Sequence, residues 1–361
     1  MNLPDSQPCA LPAETPPKPR RPRLFYLDLI RSVALVSILI IHFNATVTGY
    51  FAYPSKLFGS TLPFNIYLGD FGSSLFFIVS GASLAYTAAR DFSPLAFYKK
   101  RARAVYPMFW LAWALCFSVR FFTRPGSFAG ARSVTIVLTA LGLDNFAVAA
   151  GWVGMDFACV GEWFLGSILF LYLLFPPLLK LARGGRAARW GGFAAVAAVG
   201  VAVHLLGWDA RLVAIHLPEF FFGMLFVTLS RRGQLAAFAG SAGALAVLAL
   251  SRVADTKILC AVFSAAVFAA LALAGSFVCW GPAQRFCALL GKYSYAVFLT
   301  HHVLIQRMVM GFDLSAISRR DTALLFGSYL VLTALLSAGL YRLDAAVRAG
   351  AAAIWHGNTG K

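Results

Sequence analysis

Apolar runs of about twenty residues recur from one end of the chain to the other, separated by short stretches rich in basic residues, prolines or glycines. A helix rises 1.5 Å per residue, so roughly 20 apolar residues cross a hydrocarbon layer of about 30 Å. No segment shows the two-residue alternation of a membrane β-strand. The pattern predicts helices at about 24–44, 68–89, 104–122, 162–180, 191–207, 212–229, 234–251, 258–280, 293–311 and 322–345. The expected fold class is therefore all-α, a polytopic membrane bundle of about ten transmembrane helices. The apolar stretch 133–148 is interrupted by Gly142, Asp144 and Asn145 and is expected to be re-entrant or interfacial. Residues 1–23 are proline-rich, lack the apolar core of a signal peptide and are expected to be a disordered tail. The remainder divides into a transmembrane domain, 24–346, and a short tail, 347–361.

Polar residues inside these runs carry the functional signal, because ionisable groups are costly in hydrocarbon and mark pathways or sites. The first predicted helix holds Asp28, Arg31 and His42. Asp28 precedes Arg31 by one turn, where the two can pair. Arg31 and His42 are eleven residues apart, which returns to within ~20° of the same face about 16 Å further along. One face thus offers an ion pair near its start and an imidazole near its far end. In the second helix, Ser80, Gly81, Ala82 and Ser83 form a run of small residues suited to close helix approach.

Composition agrees with the membrane reading: 60% of residues are hydrophobic and 12% charged, against about 25% charged in soluble domains. The net charge of +17 would suggest nucleic acid in a soluble protein. Here most Lys and Arg lie between apolar runs, where they set topology and meet anionic lipid, so membrane lipids and not nucleic acid are the expected partners. Their distribution puts both termini in the cytoplasm, Arg31 towards the cytoplasmic face and His42 towards the outer one. The six cysteines are scattered and form no C-x-x-C pair, so they read as small buried hydrophobes. The six histidines show no zinc-binding spacing, and no phosphate-binding G-x-x-x-x-G-K-[ST] or nucleophile-elbow G-x-S-x-G occurs. Neither a metal nor a bound cofactor is expected.

Candidate chemistry gathers on a few side chains. His42 can serve as general base on a hydroxyl or as a nucleophile that carries an acyl group. The basic cluster at 99–103, with Lys100, Arg101 and Arg103, suits phosphates of a nucleotide-like donor. Glu162 is an acid beside a Trp-Phe-Leu entrance at the outer boundary and can orient His42 or bind sugar hydroxyls. His301 lies within the ninth helix, and the adjacent His302 is expected to point elsewhere. His216 and Glu219 can pair across one turn, in a structural role.

Taken in order, these motifs resemble the acyltransferase 3 family of integral membrane enzymes. Arg31, ten residues and then His42 match its first-helix motif, preceded by Leu27 and Asp28. Phe76, Phe77, Ser80 and Gly81 match F-F-x-x-S-G in the second helix. In the third, Arg101 falls on the first position of Arg-x-x-Arg, but Ala104 stands on the second, with Lys100 and Arg103 as a shifted pair. Trp163, Phe164, Leu165, Tyr172 and Pro176 match the fourth motif, with Glu162 just before the Trp. The runs L-P-E-F-F-F-G-M at 217–224 and G-K-Y-S-Y-A-V-F-L-T-H at 291–301 resemble later family helices. The resemblance implies an O-acyltransferase of the inner (plasma) membrane using acyl-CoA, most often acetyl-CoA, as co-substrate. Its acceptor would be a cell-surface glycan, exopolysaccharide or lipid-linked saccharide. His42, Arg31, Asp28 and Glu162 would then be catalytic. Arg31, Lys100, Arg101 and Arg103 would hold the donor, and Trp163 and His301 the acceptor. The residues alone leave open a second class, a transporter or flippase of a glycan precursor with Arg31 and His42 lining its path.

Overall fold

The computed structural model describes residues 22–49, 56–161, 163–209, 212–278 and 280–358. Helix dominates. The elements in order are α1 (Phe25–Phe43), β1 (Thr61–Leu62), β2 (Ile66–Tyr67), α2 (Leu68–Thr87), α3 (Pro94–Thr123), α4 (Ile136–Leu141) and α5 (Asp144–Ala149). They continue with α6 (Trp163–Arg183), α7 (Arg186–Leu205), α8 (Val213–Phe226), α9 (Arg231–Leu250), α10 (Thr256–Gly275), α11 (Gly281–Met308) and α12 (Arg319–Asn358). The two-residue antiparallel pair β1–β2 is the only sheet among the described residues.

Each of the ten expected helices has a counterpart. Eight segments are long and apolar enough to cross a membrane: α1 with its π-helical continuation to Thr48, α2, α3, α6, α7, α9, α10 and α12. The other two differ in kind. The α8 helix has only 14 residues, and α11 is long but interrupted by Arg285, Lys292 and Arg307. Both α4 and α5 have six residues and are separated by Gly142, whose φ of 72° reverses the chain. Neither can span, as expected of 133–148.

Three boundaries fall well outside the sequence-based ranges, by about ten residues or more, each for a local reason. The α3 helix starts at Pro94, ten residues before the expected start, because Ser93 caps it and Pro fits the first helical turn; the basic residues 99–103 are thus helical. The start of α11 moves back to Gly281, again with a Pro in its first turn. The end of α12 moves beyond 345 to Asn358 through an alanine-rich stretch of high helix propensity.

The centre of the bundle is α1, packed on α2, α10 and α11, while α2 lies along α8 over most of its length. Two tight glycine positions explain that last contact. A Cβ at Gly81 would overlap the Phe220 carbonyl, and one at Gly223 would overlap the Ile78 carbonyl. The two backbones therefore touch reciprocally, in the manner of small-residue membrane interfaces. At the periphery, α9 has no buried residue and α7 only Gly200. Apolar but unburied, these faces suit lipid.

Outside the spans, Asp255 caps α10 by accepting from the backbone N–H of Lys257 at 2.9 Å and Ile258 at 3.1 Å. It also meets His204 Nε2 at 2.6 Å. Burial pushes this carboxyl up, but the His204 hydrogen bond and charge and the two backbone N–H groups outweigh it and hold the carboxyl below its ordinary range. A depressed carboxylate stabilises above its unfolded pKa, and that contribution is lost as pH falls through the folded value. Asp255→Ala is expected to cost about 1 kcal/mol at pH 7. In thermal unfolding of the solubilised protein, the gap from wild type should close as the pH drops below about 4.

Candidate active site

Near the start of α1, Arg31 is held on two sides. Its Nη1 donates to Asp28 Oδ1 at 3.2 Å, and its Nη2 donates to Ser83 Oγ on α2 at 3.1 Å. Asp28 is buried and also accepts from Arg23 Nε at 2.5 Å. The expected Asp28–Arg31 pair is therefore present, with Arg23 as a second cation on the same carboxylate. Gly291 of α11 closes over it. A Cβ there would sit 3.1 Å from Asp28 Oδ1 and 3.5 Å from Arg31 Nη1. That close approach accounts for the glycine that opens the G-K-Y-S-Y run.

Arg101 reaches the same end from α3. Its guanidinium carbon lies 5.9 Å from the Phe97 ring and 6.0 Å from the Tyr172 ring. Its buried Nε has no hydrogen-bond partner. A desolvated donor left unpaired is costly, so it favours an anionic or carbonyl acceptor brought by a ligand. Lys100 and Arg103, by contrast, are exposed on neighbouring turns of α3 and do not line the cavity described below.

At the other end of α1, His42 meets both histidines of α11. The His42 ring centroid lies 4.9 Å from that of His301 and 5.0 Å from that of His302, both edge-on. The expectation that His302 points elsewhere is thus corrected. Residues i and i+1 diverge by about 100° around a helix, but His42 is lodged between the two directions and touches both. His301 is 2% exposed. Its Nδ1 lies 2.8 Å from the Val297 carbonyl and 3.0 Å from that of Phe298. Carbonyls only accept, so Nδ1 carries the hydrogen and Nε2 is left with a lone pair. That Nε2 is buried without a partner.

One cavity of about 390 Å³ connects the two ends. Arg31, Ser83, Arg101 and Tyr172 line one end, and Trp163, His42, His301 and His302 the other, with Phe76, Phe164 and Phe298 between them. The separation of Arg31 and His42 along α1, about 16 Å, sets its length. Such a cavity admits a slender apolar arm whose anionic head stays at the arginines while its tip reaches the imidazoles. Several polar wall residues have no role among the sequence candidates, including Ser83, which sits in a small-residue run suited to packing, and Tyr172, a motif residue. Glu162 lies outside the described residues, next to Trp163. No group of three or more His, Cys, Asp or Glu side chains is placed to hold a metal ion among the described residues.

His216 and Glu219 of α8 do pair, with His216 Nδ1 3.1 Å from Glu219 Oε2. Ser74 of α2 donates to Glu219 Oε1 at 2.5 Å. Both α8 residues lie at the His42 end, behind Trp163.

Comparison with known proteins gives one family. A sequence profile described as an acyltransferase domain, that of the acyltransferase 3 family, matches residues 24–342. No curated protein and no solved structure matches the chain. The match covers almost every helix and decides between the enzyme and transporter classes that the residues alone left open. The chain belongs to the acyltransferase 3 family and is a multi-pass membrane acyltransferase.

Proposed function

We propose that the protein moves an acetyl group from acetyl-CoA to a hydroxyl of a cell-surface or secreted glycan, free or lipid-linked. The observation that carries this reading is the single cavity joining Arg31 and Arg101 to His42, His301 and His302. The positive-inside rule puts the Arg31 end at the cytoplasmic face and both termini in the cytoplasm, as in a bacterial inner membrane. The donor enters there. Arg31 and Arg101 meet its phosphate or amide oxygens, with exposed Lys100 and Arg103 on the approach. The thioester arm extends to His42.

The transfer balances simply. The acceptor hydroxyl gives its proton to an imidazole as its oxygen attacks the thioester carbonyl. The carbon–oxygen bond forms, the carbon–sulfur bond breaks, and the proton passes to the departing thiolate. His42 is the base. The lone pair on His301 Nε2 can accept a hydrogen bond from the His42 ring or from the hydroxyl and fix its orientation.

Two measurements test the reading. Proton NMR of the host's surface and secreted glycans should lose one ester-linked acetyl signal when the gene is deleted, with glycan yield retained. Unchanged acylation would overturn it. In purified protein, Arg101→Ala should raise the KM for acetyl-CoA about tenfold or more, as expected for loss of a charge-assisted contact, with a smaller effect on kcat. An unchanged KM would remove Arg101 from the donor site.

A further inference from the structure

A second cavity, about 230 Å³, opens beside the first at the His42 end. Ser73 and Trp163 line both. Its other walls come from the first turns of α2 and from α8 and α10, two helices that line no part of the donor path. Asp70 and Ser74 belong to the first turns of α2, His216 and Glu219 to α8, and Lys257 to α10. Because α2 carries Ser83 at the Arg31 end, Ser74 and Asp70 lie roughly 14–20 Å along the helix from the donor arginines. Every part of this pocket is therefore remote from the thioester's point of entry and adjacent to its point of reaction.

Its polar groups are already arranged. Lys257 Nζ donates to Asp70 Oδ1 at 2.6 Å. Glu219, 7% exposed, takes Ser74 Oγ on one oxygen and His216 Nδ1 on the other. The His216 ring is stacked on Phe77 at 4.3 Å, which fixes its plane. Two carboxylates face one ammonium and one imidazole, so the walls repel an anion. Each carboxylate oxygen keeps a lone pair for a further donor. Trp163 adds an aromatic surface on the side shared with the reaction chamber, suited to the C–H face of a sugar ring.

We infer that this second pocket binds the acceptor, and that it selects an uncharged, polyhydroxylated ring such as a neutral hexose residue, presenting one hydroxyl past Trp163 to His42. The assignment rests on the acyltransferase reading for its role and on the pocket's own chemistry for its ligand. Asp70 and Glu219 accept from ring hydroxyls, Lys257 donates to one, and the volume limits occupancy to about one residue of a chain, below the ~300 Å³ of sites for larger ligands. Anionic sugars, phosphorylated or uronic, are disfavoured by the paired carboxylates.

The test uses the full chain in lipid nanodiscs and saturation-transfer NMR with separate probes. The acceptor probes are the methyl glycosides of glucose, galactose and mannose, with glucuronate and glucose 6-phosphate as anionic counterparts. The donor probe is coenzyme A. At least one neutral glycoside should bind, the anionic sugars at least tenfold more weakly. Glu219→Gln, which keeps the shape and removes the charge, should weaken the glycoside about tenfold or more while coenzyme A binding persists. Asp70→Asn, on a different helix, should act in the same direction, so failure of one variant to fold leaves the other decisive. Absence of glycoside binding in the wild type, preference for an anionic sugar, or indifference to both substitutions would each overturn the inference. Absence of coenzyme A binding in the wild type, with glycosides bound, would overturn the donor assignment and leave this pocket standing.

Discussion

His42→Ala is expected to reduce acyl transfer to background, a fall of at least about a thousandfold, while the protein still inserts and folds. Positioned general acid–base groups contribute roughly 10²–10⁴ in rate, and His42 is the imidazole that faces the cavity from α1 and contacts both other histidines. The side chain is half-buried, and its neighbours at the ring are imidazoles held by α11, not a tight apolar core, so truncation costs little stability. The measurement is release of coenzyme A thiol coupled to ester formation in membranes carrying matched amounts of wild-type and variant protein. His301→Ala should lower the rate less, because Nε2 acts on the geometry of the reaction and not as the base. Full activity of His42→Ala would sink the mechanism. A collapse for His301→Ala with activity retained in His42→Ala would exchange their roles.

Backbone and site differ in how much of each is legible in the sequence. Helix count and fold class are legible because a hydrocarbon layer imposes one length and one polarity on every span. Boundaries are less so. The α3 helix begins well before its apolar run, since the Ser93–Pro94 start signal lies in the polar turn and overrides hydropathy. The Arg31–His42 alignment follows from helical period alone and survives in the structure as the two ends of one cavity. The Asp28–Arg31 pair follows from one-turn spacing.

Contacts between helices are where single-chain reasoning stops. Charge and spacing alone do not separate Arg101 from Lys100 and Arg103, although only Arg101 falls on the first motif position; the rotation of α3 against α6 decides which cation faces Tyr172. The geometry of its own helix directs His302 away from His301, yet the position of α1 brings His42 against it. The one-turn spacing of His216 and Glu219 predicts a structural pair and no more. Its place behind Trp163 depends on α8 lying along α2 and opposite α10, which no spacing within α8 encodes.

The second large effect concerns that same α2–α8 crossing. Gly81→Val or Gly223→Val is expected to abolish accumulation of folded protein, and even the alanine variants should be destabilised by about 3 kcal/mol or more, the upper end for overpacking. The reason is that the obstructing atoms are backbone. A Cβ at Gly81 meets the Phe220 carbonyl, and one at Gly223 meets the Ile78 carbonyl. A flexible side chain could move aside, but a carbonyl committed to its own helix cannot, so the helices must separate. Separation is expensive here because Ile78, Ala82, Phe220 and Phe221 are fully buried at the crossing. It also reaches the site, since α2 carries Ser83 beside Arg31 and Ser73 and Ser74 beside the acceptor pocket. Thermal unfolding in detergent should show the alanine variants shifted down by several degrees, and a double variant should be less impaired than the sum, because one displacement relieves both overlaps. Wild-type stability in either alanine variant would mean that the helices are not in backbone contact. The two glycines come from separate motifs, F-F-x-x-S-G and L-P-E-F-F-F-G-M. Their reciprocal contact gives the two glycines one physical cause: α2 and α8 must touch for Ser74, His216 and Glu219 to meet beside Trp163.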